Sequence, residues 1–276
     1  MSADKYHTTN MKTYSFDAAK TAEDLVEWVR EYFRETPEGT KAVLGMSGGK
    51  DSTVCAAVLC RALGPERVIG VSMPQGSQGA NDADLICKHL GMKMYTVNIQ
   101  KAFDGLLEGI AASGEDLSNA SIQNIPPRLR MTTLYAIGQK ENARVVNTCN
   151  LSEDYIGYAT KFGDGAGDFS LLANLTVTEV LAIGDYLGIP HEWVHKTPDD
   201  GLPHSCPDEE KIGFTYAELD IYIRTGKAPE GFVHNNPEEG LKVDKIDRMH
   251  KANLHKLLPM PSFGKEEHNS AIRDAR

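Results

Sequence analysis

The stretch Lys41-Ala-Val-Leu-Gly-Met-Ser-Gly-Gly-Lys-Asp-Ser-Thr-Val54 constrains this chain more than any other. Ala42 to Met46 is a short apolar run that predicts a buried strand, and Thr53 to Leu63 predicts a helix stopped by Gly64-Pro65. Between them lies Ser47-Gly48-Gly49-Lys50-Asp51-Ser52. A strand, a glycine turn and a helix together aim backbone N–H groups, and the positive end of the helix dipole, at an anion. Gly48 and Gly49 allow the turn and let a phosphate come close. The spacing is not that of a Walker A loop, which places four residues between its first Gly and the Gly-Lys pair. Here three residues separate Gly45 from Gly49, and Asp51 follows Lys50. An acid at that point repels a bare phosphate, so it predicts a Mg²⁺ between the Asp51 carboxylate and the phosphates. The plainer alternative is an ordinary strand–helix turn, with Asp51 and Ser52 as helix caps.

The rest of the first half repeats the rhythm. Ala22 to Phe33 carries Leu25, Val26, Trp28, Val29 and Phe33 at helical spacing; Arg67 to Met73 reads as a second buried strand, Asn81 to Leu90 as a helix, and Met92 to Ile99 as a third strand. Strands alternating with helices predict an α/β fold with a doubly wound, Rossmann-like parallel sheet and ligands at the strands' carboxyl ends. Ser47 to Ser52 and Met73 to Gly76 then share one rim, the second loop facing the adenosine half of a nucleotide. Residues 100–112 read as helix, Ser113 to Ile122 as a polar mobile segment, Pro126 to Ala143 as helix and Arg144 to Thr148 as a fourth strand. Asn150 to Gly157 opens a short turn or helix. Tyr158 to Ser170 is a glycine-rich loop holding Lys161, Asp164 and Asp168. Thr176-Val-Thr-Glu179 has capping-box form and opens a helix ending at Gly188-Ile-Pro190. After a second loop, Lys196 to Asp208, extra C-terminal helices are expected at Tyr216 to Arg224 and Pro237 to Leu258, with a polar tail beyond Pro259.

Composition narrows the classes. A chain of 276 residues suits one large α/β domain, and 41% hydrophobic with 25% charged residues is a globular balance. No apolar run approaches the ~20 residues of a membrane helix, and the first residues have no signal-peptide core, so a cytoplasmic protein is expected. The five cysteines, Cys55, Cys60, Cys87, Cys149 and Cys206, form no Cys-x-x-Cys pair, which argues for reduced thiols. A net charge of −10 weighs against a partner nucleic acid, yet leaves room for nucleotides held locally.

Ser-Gly-Gly-Lys-Asp-Ser resembles the pyrophosphate loop of the N-type ATP pyrophosphatases, which split ATP to AMP and pyrophosphate while adenylating a substrate. Further strings follow in order: Gln123-Asn-Ile-Pro-Pro-Arg-Leu-Arg-Met131, Asn147-Thr-Cys-Asn-Leu-Ser-Glu153, Gly157-Tyr-Ala-Thr-Lys-Phe-Gly-Asp-Gly-Ala-Gly-Asp168, Glu209 to Asp220, and His255-Lys256. This series resembles the NAD synthetases, specifically the ammonia-dependent type. The resemblance implies an adenine nucleotide α-hydrolase-like fold as a single domain over residues 1–276, with flexible ends at 1–20 and 262–276. It implies ATP as co-substrate, Mg²⁺, and a homodimer. The implied reaction amidates deamido-NAD to NAD through an adenylate, releasing AMP and pyrophosphate. It also implies roles. Gly45, Met46, Ser47, Gly48, Gly49, Lys50, Asp51 and Ser52 cradle the phosphates, Thr148 contacts ATP, and Asp51 and Glu153 hold Mg²⁺. Arg128, Lys161, Asp168, His255 and Lys256 contact deamido-NAD, and Lys161 and Asp164 join Asp51 and Glu153 as catalytic residues. Taken alone, Glu153 reads as a helix-cap or surface charge and Lys161 as a solvated lysine. Arg130 sits on another helix face and reads as structural, and His250-Lys251 is a decoy for His255-Lys256.

Two departures stand out. Many relatives carry a lysine at the position of Val177, near the ATP phosphates; here Lys50 or Lys196 would have to supply that charge. Asp199 stands where many relatives have a small residue or Thr. The residues before the glycine loop are too few for a glutaminase domain, so free ammonia is expected. Another adenylating amidotransferase, such as the one making GMP, is disfavoured by Arg128, Lys161 to Asp164 and His255-Lys256. A sulfur-transferring tRNA enzyme lacks its basic face here. A catalytically silent nucleotide sensor remains as an alternative, against which both metal carboxylates speak. Ser113 to Ile122 and Asp199 to Pro207 are the expected lids.

Overall fold

The computed structural model describes residues 14–76, 81–196, 208–228 and 237–261. Five parallel strands run in the order β3-β2-β1-β4-β5. They are β1 (Lys41–Gly45), β2 (Val68–Ser72), β3 (Lys93–Thr96), β4 (Ala143–Asn147) and β5 (Phe169–Ser170). Register follows from Ala42↔Val68, Lys41↔Ala143, Ile69↔Lys93 and Val146↔Phe169. Side chains alternate across a strand, so β1 sends Ala42 and Leu44 into one core and Val43 into another. On the first face pack α1 (Ala18–Arg34), α2 (Lys50–Leu63), α3 (Asn81–Leu90) and α8 (Val177–Tyr186), with Val26, Val54, Leu59, Ile86 and Ile183 among the buried residues. On the second face α6 (Ile125–Glu141) covers β1 and β4 through Met131 and Leu134, with α4 (Gln100–Ala111) beside it.

A third, smaller cluster lies beyond the carboxyl edge. It joins α7 (Leu151–Ile156), α8, α10 (Asp208–Ile212), α11 (Tyr216–Thr225) and α12 (Pro237–Leu257) through Ile156, Val177, Ile212, Phe214, Tyr216, Leu219 and Ile246. These are the extra C-terminal helices that the sequence predicts.

The doubly wound sheet is as expected, and the differences lie at element ends. Helix α2 begins at Lys50 rather than Thr53, because Lys50-Asp51-Ser52 are helical although their polarity breaks the apolar pattern. Strand β3 is shorter than Met92 to Ile99, since the backbone past Thr96 continues only as single bonds from Val97 and Ile99 to Ser72 and Pro74. The segment from Ser113 holds a short helix, α5 (Asn119–Gln123), capped by the Ser118 hydroxyl. Strand β5 falls at the end of the stretch Tyr158 to Ser170 expected as loop, and α9 (His191–Val194) falls where no element is expected, while α10 lies in the mostly helical region expected from Asp208 onward; elements of two to four residues give too little periodicity to read. The capping box at Thr176 and Glu179 is present in full, and a second joins Thr215 and Glu218 at the start of α11. Asp199, Cys206, the expected lid from Asp199 to Pro207 and the tail beyond 261 lie outside the described residues.

Candidate active site

The chain leaves β1 toward β2 on one side, while β4 pairs on the other. Strand order therefore reverses between β1 and β4, and a crevice opens at their carboxyl ends. The turn from β1 into α2 lines it. Gly48 has φ +81°, and a Cβ there would come within 2.8 Å of Asp82 Cβ at the start of α3, so this position needs glycine both for its conformation and for the close approach. Ser47 Oγ accepts the Gly49 N–H at 3.2 Å, and the Ser52 and Thr53 hydroxyls donate to the Gly49 carbonyl. Gly49 is the N-cap of α2, and no side chain caps the helix. Asp51 and Ser52 are thus not its caps, and the open first turn suits an anion.

Beside this turn sits a pair of carboxylates. Lys50 is 7% exposed, and its Nζ lies 2.8 Å from Asp51 Oδ2 and 3.9 Å from Glu153 Oε1. Asn150, fully buried, joins the two strand ends: its Oδ1 accepts the Glu153 N–H at 3.0 Å and its Nδ2 donates to Asp51 Oδ1 at 3.1 Å. The sequence marks Asn150 as the opening of a short turn or helix, which its N-cap role matches; its bond to Asp51 joins distant strands and leaves no local signal. Burial, and then the Asp51 charge, push the Glu153 carboxyl above the usual carboxylate range. Burial works to lower Lys50, but Asp51 and Glu153 outweigh it and the ammonium is held more firmly than an ordinary lysine. A lysine ammonium lodged between two carboxylates stands in for a cation. The donor set suits Mg²⁺, which takes one or two carboxylates and completes its shell with phosphate oxygens and water. Among the described residues no group of three or more His, Cys, Asp or Glu side chains is arranged to hold a metal, so the nucleotide itself would have to supply the further ligands.

A cleft of about 270 Å³ opens past β4 and β5, lined among others by Asn147, Asp154, Lys161, Asp168, Ser170 and Lys256. Its two lysines are engaged with main chain. Lys161 donates to the His255 carbonyl, and Lys256 donates to the carbonyls of Gly157 and Ala159 at 2.7 and 3.0 Å. Arg128 Nε donates to the Lys161 carbonyl at 3.2 Å, which ties Arg128 to the segment whose Lys161 lines the cleft with Lys256. The Asp164 carboxylate accepts the Thr160 N–H at 2.9 Å, and its carbonyl accepts from Asn147 and from the Cys149 thiol. Burial raises the Asp164 pKa. Asp168 differs from expectation in one respect. One oxygen accepts the Val145 N–H at 2.7 Å, so the carboxylate also closes the edge of β4. The His255 ring is exposed, with Nδ1 at the Ala252 carbonyl 3.0 Å away, and only Lys256 of that pair lines the cleft. His250 stacks on Tyr155 and meets its carbonyl, a packing role in keeping with its reading as a decoy.

The remaining expectations sort as follows. Gly45 ends β1, and Met46 is buried with its N–H on the Val71 carbonyl. Thr148 is half-buried at the end of β4. Arg130 reaches the Met73 carbonyl of the second rim loop at 3.1 Å, a structural tie as expected. Val177 is buried against Ile156 rather than facing the crevice. Lys196 pairs with Asp82, the residue that flanks Gly48, so a second cation stands at the phosphate turn.

A profile of the NAD synthase family matches residues 21–260. An NH(3)-dependent NAD(+) synthetase of Carboxydothermus hydrogenoformans is 37% identical over 237 residues, 85% of this chain and 93% of the relative. One of Finegoldia magna is 34% identical over 253 residues, 91% of this chain and 98% of the relative. Among solved structures, NMN synthetase from Francisella tularensis aligns with TM-score 0.77 and 31% identity, covering 90% of this chain and all of that one. The NH3-dependent NAD synthetase of Campylobacter jejuni, solved with nitrate, aligns with TM-score 0.72 and 26% identity over 91% of this chain and all of that one. With its parallel sheet, its glycine turn and these matches along most of its length, the chain belongs to the NAD synthase family and has the adenine nucleotide α-hydrolase fold.

Proposed function

We propose that this protein is an ammonia-dependent NAD synthetase, a ligase that forms a C–N bond by amidating deamido-NAD at the expense of ATP. The single observation that carries the residue assignment is the Lys50 ammonium between Asp51 and Glu153, beneath an uncapped helix N-terminus. Such a site is built to take a cation and phosphates together. In the first step the nicotinate carboxylate oxygen forms a bond to the α-phosphorus of ATP, and the bond to pyrophosphate breaks. Backbone N–H groups from Ser47 to Ser52, Lys50 and Lys196 bear the negative charge that grows on the phosphates. Asp51 and Glu153 would hold a Mg²⁺ that neutralises phosphate charge when bound. In the second step ammonia bonds to the activated carbonyl carbon, AMP leaves with the bonding electrons, and a proton is released. Asp164, whose pKa burial raises, is the proposed acceptor of that proton. Arg128, Lys161 and Lys256 give the cleft its positive wall for the dinucleotide phosphates, with Thr148 on the ATP side.

The reading includes one working domain, a homodimer and a cytoplasmic location. In its support, the family profile spans residues 21–260 as one unit, and no described helix is long and apolar enough to cross a membrane. The test is AMP and NAD formation from deamido-NAD, ATP, Mg²⁺ and ammonium, with glutamine in a parallel tube and Asp51→Ala as control. Stoichiometric AMP and NAD with ammonium are expected, lowered at least about a hundredfold in the variant, as for loss of a transition-state charge clamp. Activity with glutamine alone would sink the ammonia-dependent reading. The likeness to the Francisella NMN synthetase favours one second reading, in which the substrate is the mononucleotide that lacks the AMP half. The nicotinate mononucleotide belongs in the same assay, and a higher kcat/KM for it than for deamido-NAD would select that reading.

A further inference from the structure

The Tyr216 side chain is 3% exposed, and its hydroxyl has no hydrogen-bond partner among the described residues. Buried hydroxyls are nearly always bonded, and leaving one unpaired costs about 1–3 kcal/mol. The rest of the residue is firmly set. Tyr216 opens α11 behind the Thr215–Glu218 capping box, and its N–H donates to Glu209 Oε1 at 2.8 Å. Its ring packs with Ile156, Val177, Ile212 and Leu219. The ionisable groups that bear on its oxygen are Glu153, Asp208, Tyr158 and Asp51, which with burial raise its pKa. Helix α11 packs on α7, the helix that carries Glu153, and Tyr216 shares its apolar cluster with Ile156 of that helix.

Those neighbours already have partners. Asp51 accepts from Lys50 and Asn150, Glu153 faces Lys50, and Asp208 accepts the Tyr158 hydroxyl at 2.7 Å. The phenol has no acceptor among the described residues, and the anionic oxygens of a phosphate are the strongest acceptors the crevice would receive. Resting on the function proposed above, we infer that Tyr216 is a further nucleotide-contacting residue, its hydroxyl donating to a phosphate oxygen of the nucleotide held beside Asp51 and Glu153. The third helical cluster is thereby a wall of the nucleotide site as well as a support for α7.

Tyr216→Phe tests this, because it removes one oxygen and keeps the ring. Three quantities are measured: the ligand-free Tm, the affinity for a non-hydrolysable ATP analogue with Mg²⁺ by calorimetry, and the affinity for Mn²⁺ alone. The expected result is a ligand-free Tm equal to or above that of the unmutated protein, a nucleotide Kd weakened about tenfold to a hundredfold, and an unchanged Mn²⁺ affinity. A lowered ligand-free Tm would mean that the hydroxyl is bonded within the free protein, and an unchanged nucleotide Kd would mean that it meets no phosphate; either overturns the inference. Weakened Mn²⁺ binding without nucleotide would assign the hydroxyl to a metal-bound water instead, which also overturns it. Since none of these readouts needs turnover, they separate this inference from the proposed reaction: an unmutated protein that binds the nucleotide but makes no NAD contradicts only the latter.

Discussion

Lys50 is a short side chain's reach from being two different things. Without ligands it neutralises Asp51 and Glu153; with a nucleotide it has phosphates to attend to, and a metal ion needs the place it occupies. Lysine and metal therefore compete for the same two carboxylates. Lys50→Met should bind Mn²⁺ more tightly than the unmutated protein when no nucleotide is present, as titration by electron paramagnetic resonance would register. The same variant should be less stable in chelator, by about 3–5 kcal/mol as for a buried pair that loses one partner, and should regain much of that with added Mg²⁺. A variant that gains no metal affinity would show that the ammonium is only packing. Asp51 and the glycine turn were legible in the sequence because their local order alone implies an anion site. The position of the Lys50 head group was not, since it depends on Glu153 arriving from another strand.

At the level of elements, α7 is aimed by a residue far from it in sequence. Asp220 on α11 is 1% exposed. It accepts the Ser152 hydroxyl at 2.5 Å, and the Thr178 N–H and hydroxyl at 2.8 and 2.6 Å, while Ser152 Oγ accepts the Val177 N–H. One carboxylate thus ties the starts of α7 and α8 to α11, next door to Glu153. Asp220→Ala strands three donors and should lower stability in urea by about 2–4 kcal/mol; Asp220→Asn, which keeps an acceptor, should lose less. On the other side of α7, Gly157 has φ +71°, and a Cβ there would collide with the Asn253 side chain of α12. The helices α11 and α12 were legible from their periodicity. Their attachments were not, because a buried Asp and a glycine contact carry no periodic signal, and Asp220 in the sequence is one acid among many.

Among the described residues, burial is the leading cause that raises four carboxyls: Asp220 to about 6, Asp154 to about 6, Glu153 and Asp164. Their folded pKa values lie above the ordinary 3.8 and 4.5, so the folded protein holds these protons longer than the unfolded chain. Stability from this source is greatest below about pH 4 and falls as pH rises through 6, with Glu153 extending the decline upward. Glu141 runs the other way. The Tyr95 hydroxyl, then Lys93 and Lys41, hold it down at about 2, so its contribution is present above pH 4.5 and fades only in strong acid. The ligand-free Tm, followed by calorimetry, should therefore decline from pH 4 to pH 8 on account of the four, and Mg²⁺ with nucleotide should flatten the upper part by replacing the proton at Glu153. A profile equally steep with and without the ligands would contradict that link. The fold class was legible throughout, because strand and helix periods were clear from Ala22 to Thr148; the convergence of α7, α11 and α12 on the crevice was not. One feature of the sheet also sets a timetable. Strand β1 meets β2 across a single α-helix, but meets β4 only after four further helices and β3 have been made. Closing the longer loop costs more chain entropy, so during folding the phosphate turn exists as a half-site, lysine in place but Glu153 absent. The crevice is completed when the sheet's two wings join, and an emerging or partly unfolded chain is therefore unable to capture the metal-bound nucleotide before its architecture is ready to use it.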